Sequence, residues 1–203
     1  MNNYESWEIG GHCLEYLDDT HTYICDGIIL PSITQCLKLR FGNKYAGIDD
    51  QTLKQASMRG TECHRAIEEY CKTGVESEMP EVRNFKFLQK QYGFKVLENE
   101  TPVILSIDDE PVIAGRLDLV LDIDGKTGLG DIKRVSALDK EYLGLQLNLY
   151  RIAYQQTYGI EIEFLKGLHL KDDTRKFVNI PINEKIAWEL VDEYMRGQNN
   201  EKI

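Results

Sequence analysis

Gly115-Arg116-Leu117-Asp118, followed thirteen residues after its aspartate by Asp131-Ile132-Lys133, is the stretch on which the reading of this chain turns. In Leu117-Asp118-Leu119-Val120-Leu121 and in Leu129-Gly130-Asp131-Ile132-Lys133 an acidic residue sits among apolar ones, so both segments read as neighbouring β-strands. A carboxylate seldom goes under cover without a paired charge or a metal. Asp131 and Lys133 are two residues apart and therefore project from one face of their strand. Two hard carboxylates suit Mg²⁺ or Mn²⁺, and a lysine beside them can orient a water or offset charge on a phosphate.

Outward from this pair, hydrophobic period and turn chemistry lay out the elements. Phe94 to Ile107, Pro111 to Asp122 and Thr127 to Lys133 read as three strands, with turns at Asp108-Asp109-Glu110 and Asp124-Gly125-Lys126. Asp139 to Tyr158 carries Tyr142, Leu145, Leu149, Ile152 and Ala153 at helical spacing and stops at Gly159, as an amphipathic helix would. Strands at Glu163 to Leu170 and Lys176 to Ile180 follow, then a helix from Asn183 to about Arg196, with Gly197 to Ile203 expected to fray. Ahead of the strands, Pro80 to Tyr92 opens on a favourable first-turn proline, and Asp50 to Lys72 ends before Gly74 as C′. Gly60, inside that helix, costs about 1 kcal/mol relative to alanine and leaves room for something to approach the backbone. Asp26-Gly27 between Thr22-Tyr23-Ile24-Cys25 and Ile28-Ile29-Leu30 is a hairpin signal, Leu14 to Leu17 alternates as a strand, and Ser32 with Gln35 has capping-box spacing. The central order, helix–strand–strand–strand–helix–strand, predicts a mixed α/β (α+β) fold in one domain, which 203 residues suffice to build.

Composition narrows the function classes. The 42% hydrophobic content is that of a folded chain, and no apolar run approaches the ~20 residues needed to span a bilayer. The amino terminus lacks a basic segment followed by an apolar one, so the expected location is cytoplasmic, away from membranes. Cys13, Cys25, Cys36, Cys63 and Cys71 form an odd set without a C-x-x-C pair, which favours reduced thiols over a structural zinc or iron–sulfur site. A net charge of −10 argues against nonspecific nucleic-acid binding through bulk charge, though it allows a local basic groove. Lys38, Arg40 and Lys44; Arg83, Lys86 and Lys90; Lys133 and Arg134; and Lys171, Arg175 and Lys176 are candidates for one. The ordinary reading of each cluster is a solvated surface.

Further polar groups line up with Asp118 and Asp131-x-Lys133. His64 and Glu68 are four apart on one helix face, close to the small residues Gly60 and Thr61. Alone, such a histidine is more often an ordinary helix residue than a ligand. Glu100 lies on the strand before Asp118 and alone reads as solvent-facing. Gln146 and Tyr150, again four apart, could bond a phosphate, orient the lysine or cap a packing layer.

Together, Gly60/His64/Glu68, Glu100, Gly115/Asp118, Asp131/Lys133 and Gln146/Tyr150 resemble, in order, the motifs of the RecB-like exonuclease branch of the PD-(D/E)XK nuclease superfamily. The resemblance covers most of Gly60 to Leu170, with a looser likeness of Thr22 to Thr34 to phage and prophage members. No literal Pro-Asp is present; Asp118 in Gly-Arg-Leu-Asp stands in that role. What the resemblance implies is a restriction-endonuclease-like core of helix, three-stranded meander, helix and strand over residues 49–181. Residues 1–48 would then be an N-terminal hairpin-and-helix addition and 182–203 a C-terminal helix.

The resemblance further implies a Mg²⁺- or Mn²⁺-dependent DNA nuclease, expected to be an exonuclease in phage-type recombination or repair. Asp118, Asp131, the Ile132 carbonyl and the His64 imidazole would hold the metal, Lys133 would position the attacking water, and Glu68 and Glu100 would be auxiliary. Gln146 and Tyr150 would hold the substrate strand or brace Lys133. A histidine donor is softer than Mg²⁺ favours, which suits Mn²⁺. Some relatives carry an iron–sulfur cluster with three cysteines after the core; no cysteine follows Cys71, so no cluster is expected. DNA is the implied partner, with a phage recombinase or annealing protein and a homo-oligomer as further candidates. Two alternatives stay open: an inactive binding module on a nuclease core, and a structure-specific endonuclease.

Overall fold

The computed structural model describes residues 4–42 and 47–200, side chains 199 and 200 excepted. The chain starts as an antiparallel meander, β1 (Tyr4–Ile9), β2 (His12–Leu17), β3 (Thr22–Cys25) and β4 (Ile28–Leu30), forming one sheet in that order. The β3–β4 turn is the Asp26-Gly27 pair, both in the left-handed region, where glycine and aspartate are tolerated. The hairpin expected from the sequence is thus half of a larger sheet, which gains β1 through a Gly10-Gly11 turn.

Next come α1 (Ile33–Phe41), α2 (Asp50–Thr73) and α3 (Pro80–Tyr92). Local chemistry sets their ends. Ser32 and Gln35 form the capping box of α1, and the Asp49 carboxylate accepts from the Thr52 N–H at 2.9 Å to start α2. Gly74 and Gly93, at φ of 73° and 68°, turn the chain out of α2 and α3. Lys44 lies outside the described residues.

The second sheet has the order β5 (Lys95–Ile107), β6 (Glu110–Ile123), β7 (Lys126–Lys133), β8 (Phe164–Lys171) and β9 (Thr174–Ile180). Its first three strands form an antiparallel meander. β7 and β8 run parallel, joined by the crossover helix α4 (Lys140–Tyr158), and β9 returns antiparallel. A last helix, α5 (Glu184–Asn200), follows. The chain therefore has an α+β fold with helices on both sides of the larger sheet. Cys63, Ile67, Phe85 and Leu88 from α2 and α3 pack with Leu119, Leu121, Ile132 and Leu168. Leu37, Leu147, Leu149 and Leu190 from α1, α4 and α5 pack with Val103, Leu105, Leu117 and Leu129. Among the described residues, no helix is long and apolar enough to cross a membrane.

Two expectations change. The helix following the Asp-x-Lys strand is not amphipathic in the ordinary sense: residues 143–154 are buried without interruption. The reason is tertiary, since α4 is wedged against the sheet while α1 and α5 cover its outer side. The carboxyl-terminal helix also continues past Gly197 to Asn200, where fraying was expected; residues 201–203 lie outside the described part.

The smaller sheet meets the larger one along β6. The Ala114 N–H donates to the Pro31 carbonyl at 3.0 Å, and Ile104 and Ala114 complete the apolar cluster around Leu14, Tyr16 and Tyr23. Gly115 is next in line. A Cβ there would lie 2.9 Å from a Tyr150 ring carbon and 3.2 Å from the Ile33 side chain, so its hydrogen is what lets α4 and α1 close on β6. Gly60 differs: nothing lies within 4 Å of where its Cβ would be, and it faces an open groove.

Candidate metal centre

The centre lies where β6 and β7 part. Their ladder extends to Leu119–Gly130, beyond which the carboxylate of Asp118 takes over: its Oδ2 accepts the Ile132 N–H at 2.6 Å. Asp118 Oδ1 is thereby aimed away from β7 and toward α2. Cys63 and Ile67 of α2 are fully buried against the sheet, which fixes the rotation of the helix and delivers His64 to the same point. The His64 Nε2–H donates to the Ile132 carbonyl at 3.0 Å, because a carbonyl can only accept. That bond leaves Nδ1 facing 3.5 Å from Asp118 Oδ1 and 3.7 Å from Glu100 Oε1.

Glu100 reaches this point through an unusual backbone. It is a non-glycine residue in the left-handed region, φ 48°, within the long strand β5. Such conformations cost of order 1–3 kcal/mol and persist only when surroundings over-determine them. Here Arg116 does so: its Nε lies 2.9 Å from Glu100 Oε2, while its Nη1 donates to Glu5 Oε1 at 2.8 Å and its guanidinium sits 5.1 Å from the centre of the Tyr16 ring. The result is one imidazole nitrogen and two carboxylate oxygens, from His64, Glu100 and Asp118, all within 4.8 Å of one another. A mixed nitrogen–oxygen set of this kind fits a divalent ion such as Mn²⁺ or Mg²⁺.

Asp131 and Lys133 project from one strand face as their spacing required, with Nζ 2.6 Å from Oδ2. Asp131 is only 2% exposed, and that oxygen has no directed hydrogen bond, so the contact is a charge pair. An under-coordinated buried carboxylate oxygen is also what a cation would satisfy. Burial pushes the Asp131 carboxyl up to about 6, with Lys133 opposing and Asp118 adding to the rise. Burial works against charge on Lys133 too, but Asp131 and Asp118 outweigh it and hold the ammonium above its ordinary range. The same contest raises His64 well above its usual value: burial disfavours the imidazolium, and Asp118 with Glu100 prevails. Burial likewise resists ionisation of Asp118, yet His64 and Lys133 bring its carboxyl below the usual range.

The remaining expected residues are placed as follows. The Ile132 carbonyl accepts from His64 and Asp131 is turned to Lys133, while Glu100 stands with His64 and Asp118 in the side-chain group that could hold an ion. Glu68 shares the helix face of His64 but its carboxylate holds Lys72 at 2.5 Å. Tyr150 is buried and its hydroxyl donates to the Arg116 carbonyl at 2.9 Å, bracing β6 two residues before Asp118. Gln146 is buried beside Tyr150 with its Oε1 unpartnered. Sequence reasoning passed over Arg116 and Glu5. Arg116 sits inside the Gly-Arg-Leu-Asp stretch, but nothing local marks Glu5, which is 111 residues away.

No protein-family model matches the chain, and no curated protein matches it. Among solved structures, one described as the crystal structure of SSO0001 is similar over 81% of this chain and 74% of that one, at 16% identity and a TM-score of 0.48. A likeness this distant assigns neither fold nor activity.

Proposed function

We propose that this chain is a divalent-metal-dependent deoxyribonuclease of the exonuclease type, hydrolysing phosphodiester bonds. The observation that carries the reading is the convergence of His64, Glu100 and Asp118 within 4.8 Å beside the Asp131–Lys133 pair. The order of motifs in the sequence supports the nuclease assignment, and a setting in phage-type recombination or repair rests on that resemblance alone.

His64 Nδ1, Asp118 Oδ1 and Glu100 Oε1 would hold Mn²⁺ or Mg²⁺, and Asp131 would serve as a further ligand on β7. The bound ion would supply Lewis-acid polarisation of a phosphoryl oxygen and a more acidic water. His64 must shed its Nδ1 proton to act as a donor, while its Nε2–H stays on the Ile132 carbonyl and fixes the ring. Asp118 is ionised across the physiological range and needs no proton release. Arg116 keeps the Glu100 carboxylate aimed at His64. The Lys133 ammonium, held charged by its carboxylate neighbours, would offset negative charge gathering on the phosphoryl oxygens and orient the attacking water.

The experiment is a cleavage assay on linear and circular DNA with Mg²⁺, Mn²⁺ or EDTA. Metal-dependent loss of linear DNA with circular DNA spared supports the proposal. Cleavage of circular DNA would instead indicate an endonuclease, and intact DNA under all conditions would leave a binding module.

A further inference from the structure

His64 and Gly60 border two grooves. The wider, about 1010 Å³, lies toward the amino-terminal sheet, and the narrower, about 750 Å³, lies between the first half of α2 and the loop from Arg134 to Asp139. Their charge differs. In the wider groove the cations Arg116 and Lys72 are tied to Glu5, Glu100 and Glu68, leaving Arg65 against Asp18 and Glu98. The narrower groove is bordered by Lys133, Arg134 and Lys171, with Asp139 as its acidic residue, and the Asp139 carboxylate caps α4 by accepting from the Tyr142 N–H. Lys133 is held by Asp131, and Arg134 by Glu81 and Asp172. Lys171 has no carboxylate partner among the described residues; its Nζ donates to the Ser136 hydroxyl at 2.9 Å. The groove is also lined by apolar side chains, including Leu53, Ala56 and Leu138.

We propose that the narrower groove is the bed of a single polynucleotide strand, and that Lys171 with Ser136 forms a phosphate subsite beyond the cleavage centre. This inference rests on the nuclease reading for what happens at His64, but its own claim concerns binding. An apolar bed beside a lysine free of any carboxylate among the described residues matches an unpaired strand, whose bases are free to lie on apolar side chains while a phosphate meets Lys171. A duplex hides its bases and has no use for such walls. The sheet sets the spacing. Lys133 is in register with His169 on the parallel neighbour β8, so Lys171 lies two residues further along the same face. At about 3.3 Å per residue and about 4.8 Å between strands, the two lysine Cα atoms are about 8 Å apart. That separation lets the two side chains reach neighbouring phosphates of one strand. Two basic clusters that are 38 residues apart in sequence, each of which reads by itself as solvated surface, thus become one track.

The test is fluorescence anisotropy of a labelled single-stranded oligodeoxynucleotide, with Ca²⁺ replacing Mn²⁺ to prevent cleavage. Lys171→Gln is expected to weaken binding about fivefold and to reduce the salt slope of log affinity by about 0.7, the signature of one lost phosphate contact on a single strand. Lys171→Arg should restore the slope, Ser136→Ala should weaken binding less, and Lys126→Gln, at the exposed start of β7, should match the parent. An unchanged affinity and slope in Lys171→Gln, an absence of strand binding by the parent, or equal capture of a duplex with the same dependence on Lys171 would each overturn the proposal. Cleavage in Mn²⁺ keeps the two readings apart. A protein that binds strand through Lys171 but never cuts retains the groove and loses the nuclease. One that cuts with Lys171→Gln indistinguishable in binding retains the nuclease and loses the groove.

Discussion

Replacing Lys133 with methionine removes an ammonium 2.6 Å from the Asp131 carboxylate while keeping most of the side-chain volume. Asp131 is 2% exposed, so solvent does little to screen the loss. With Lys133 present, the Asp131 carboxyl titrates at about 6 against 3.8 when unperturbed. A carboxyl raised on folding binds more protons in the native state than in the unfolded one, so it withdraws stability as pH climbs from the unfolded to the folded value. In the parent that withdrawal is complete near pH 6. Without the ammonium the folded value moves higher, and the withdrawal continues at about 1.4 kcal/mol per pH unit. The variant should therefore match the parent closely near pH 5.5 and fall below it by about 2–3 kcal/mol near pH 8, within reach of the ~3–5 kcal/mol cost of breaking a buried pair. Urea unfolding in EDTA at the two pH values reads this directly. In single-turnover cleavage with Mn²⁺, loss of one preorganised charge should lower the rate by about 10²–10³, while the DNA complex in Ca²⁺ still forms. Lys133→Arg should rescue poorly, because a planar guanidinium cannot occupy the same point. A stability difference independent of pH would refute the buried-pair argument, and parental rates would remove Lys133 from the chemistry.

The remaining predictions concern the ligands and their support. Calorimetry should show Mn²⁺ affinity greatly weakened by Asp118→Asn, which keeps a donor-acceptor group near Ile132 but removes charge facing His64; unchanged affinity would place the ion elsewhere. His64 titrates above its ordinary value in the metal-free protein, a gain in stability that is complete below pH ~6.5 and lost as pH rises through the folded value. Thermal stability in EDTA should thus decline over that rise, and Mn²⁺ affinity should increase with one proton released per ion; a pH-independent affinity would exclude His64 as a donor. Gly115→Ala must push a Cβ against Tyr150 at 2.9 Å, and should cost about 1–3 kcal/mol in urea unfolding while disturbing β6 beside Asp118. A neutral substitution would show that α4 has more freedom than its burial indicates.

Much of the architecture is written in local chemistry. The bounds of α3, the three-strand meander and the crossover helix follow from period and punctuation: Pro80 at the start of α3, Gly93 and Gly159 at helix ends, Asp124-Gly125 between β6 and β7. These are interactions within a few residues, which a sequence displays directly. So is the shared strand face of Asp131 and Lys133, since a two-residue period admits no other arrangement. Burial of α4 on nearly all sides was not legible, because a helix flanked by one sheet and a helix flanked by a sheet and two further helices can carry similar apolar spacing.

The sequence by itself brought forward Asp118 and Asp131, because charge among apolar neighbours needs a partner wherever the chain goes, and the resemblance in motif order added His64, Glu100 and Lys133 to the candidate set. Which of them face one another was decided by tertiary structure. His64 meets the Ile132 carbonyl across 68 residues, Arg116 meets Glu5 across 111, and Glu100 joins the ligand group through a left-handed backbone that no propensity favours. The Asp131–Lys133 pair is local to β7, and what packing adds is its burial, which removes the solvent that would otherwise screen it. Local rules specify which groups demand a partner, and the packed fold alone specifies the partner each receives.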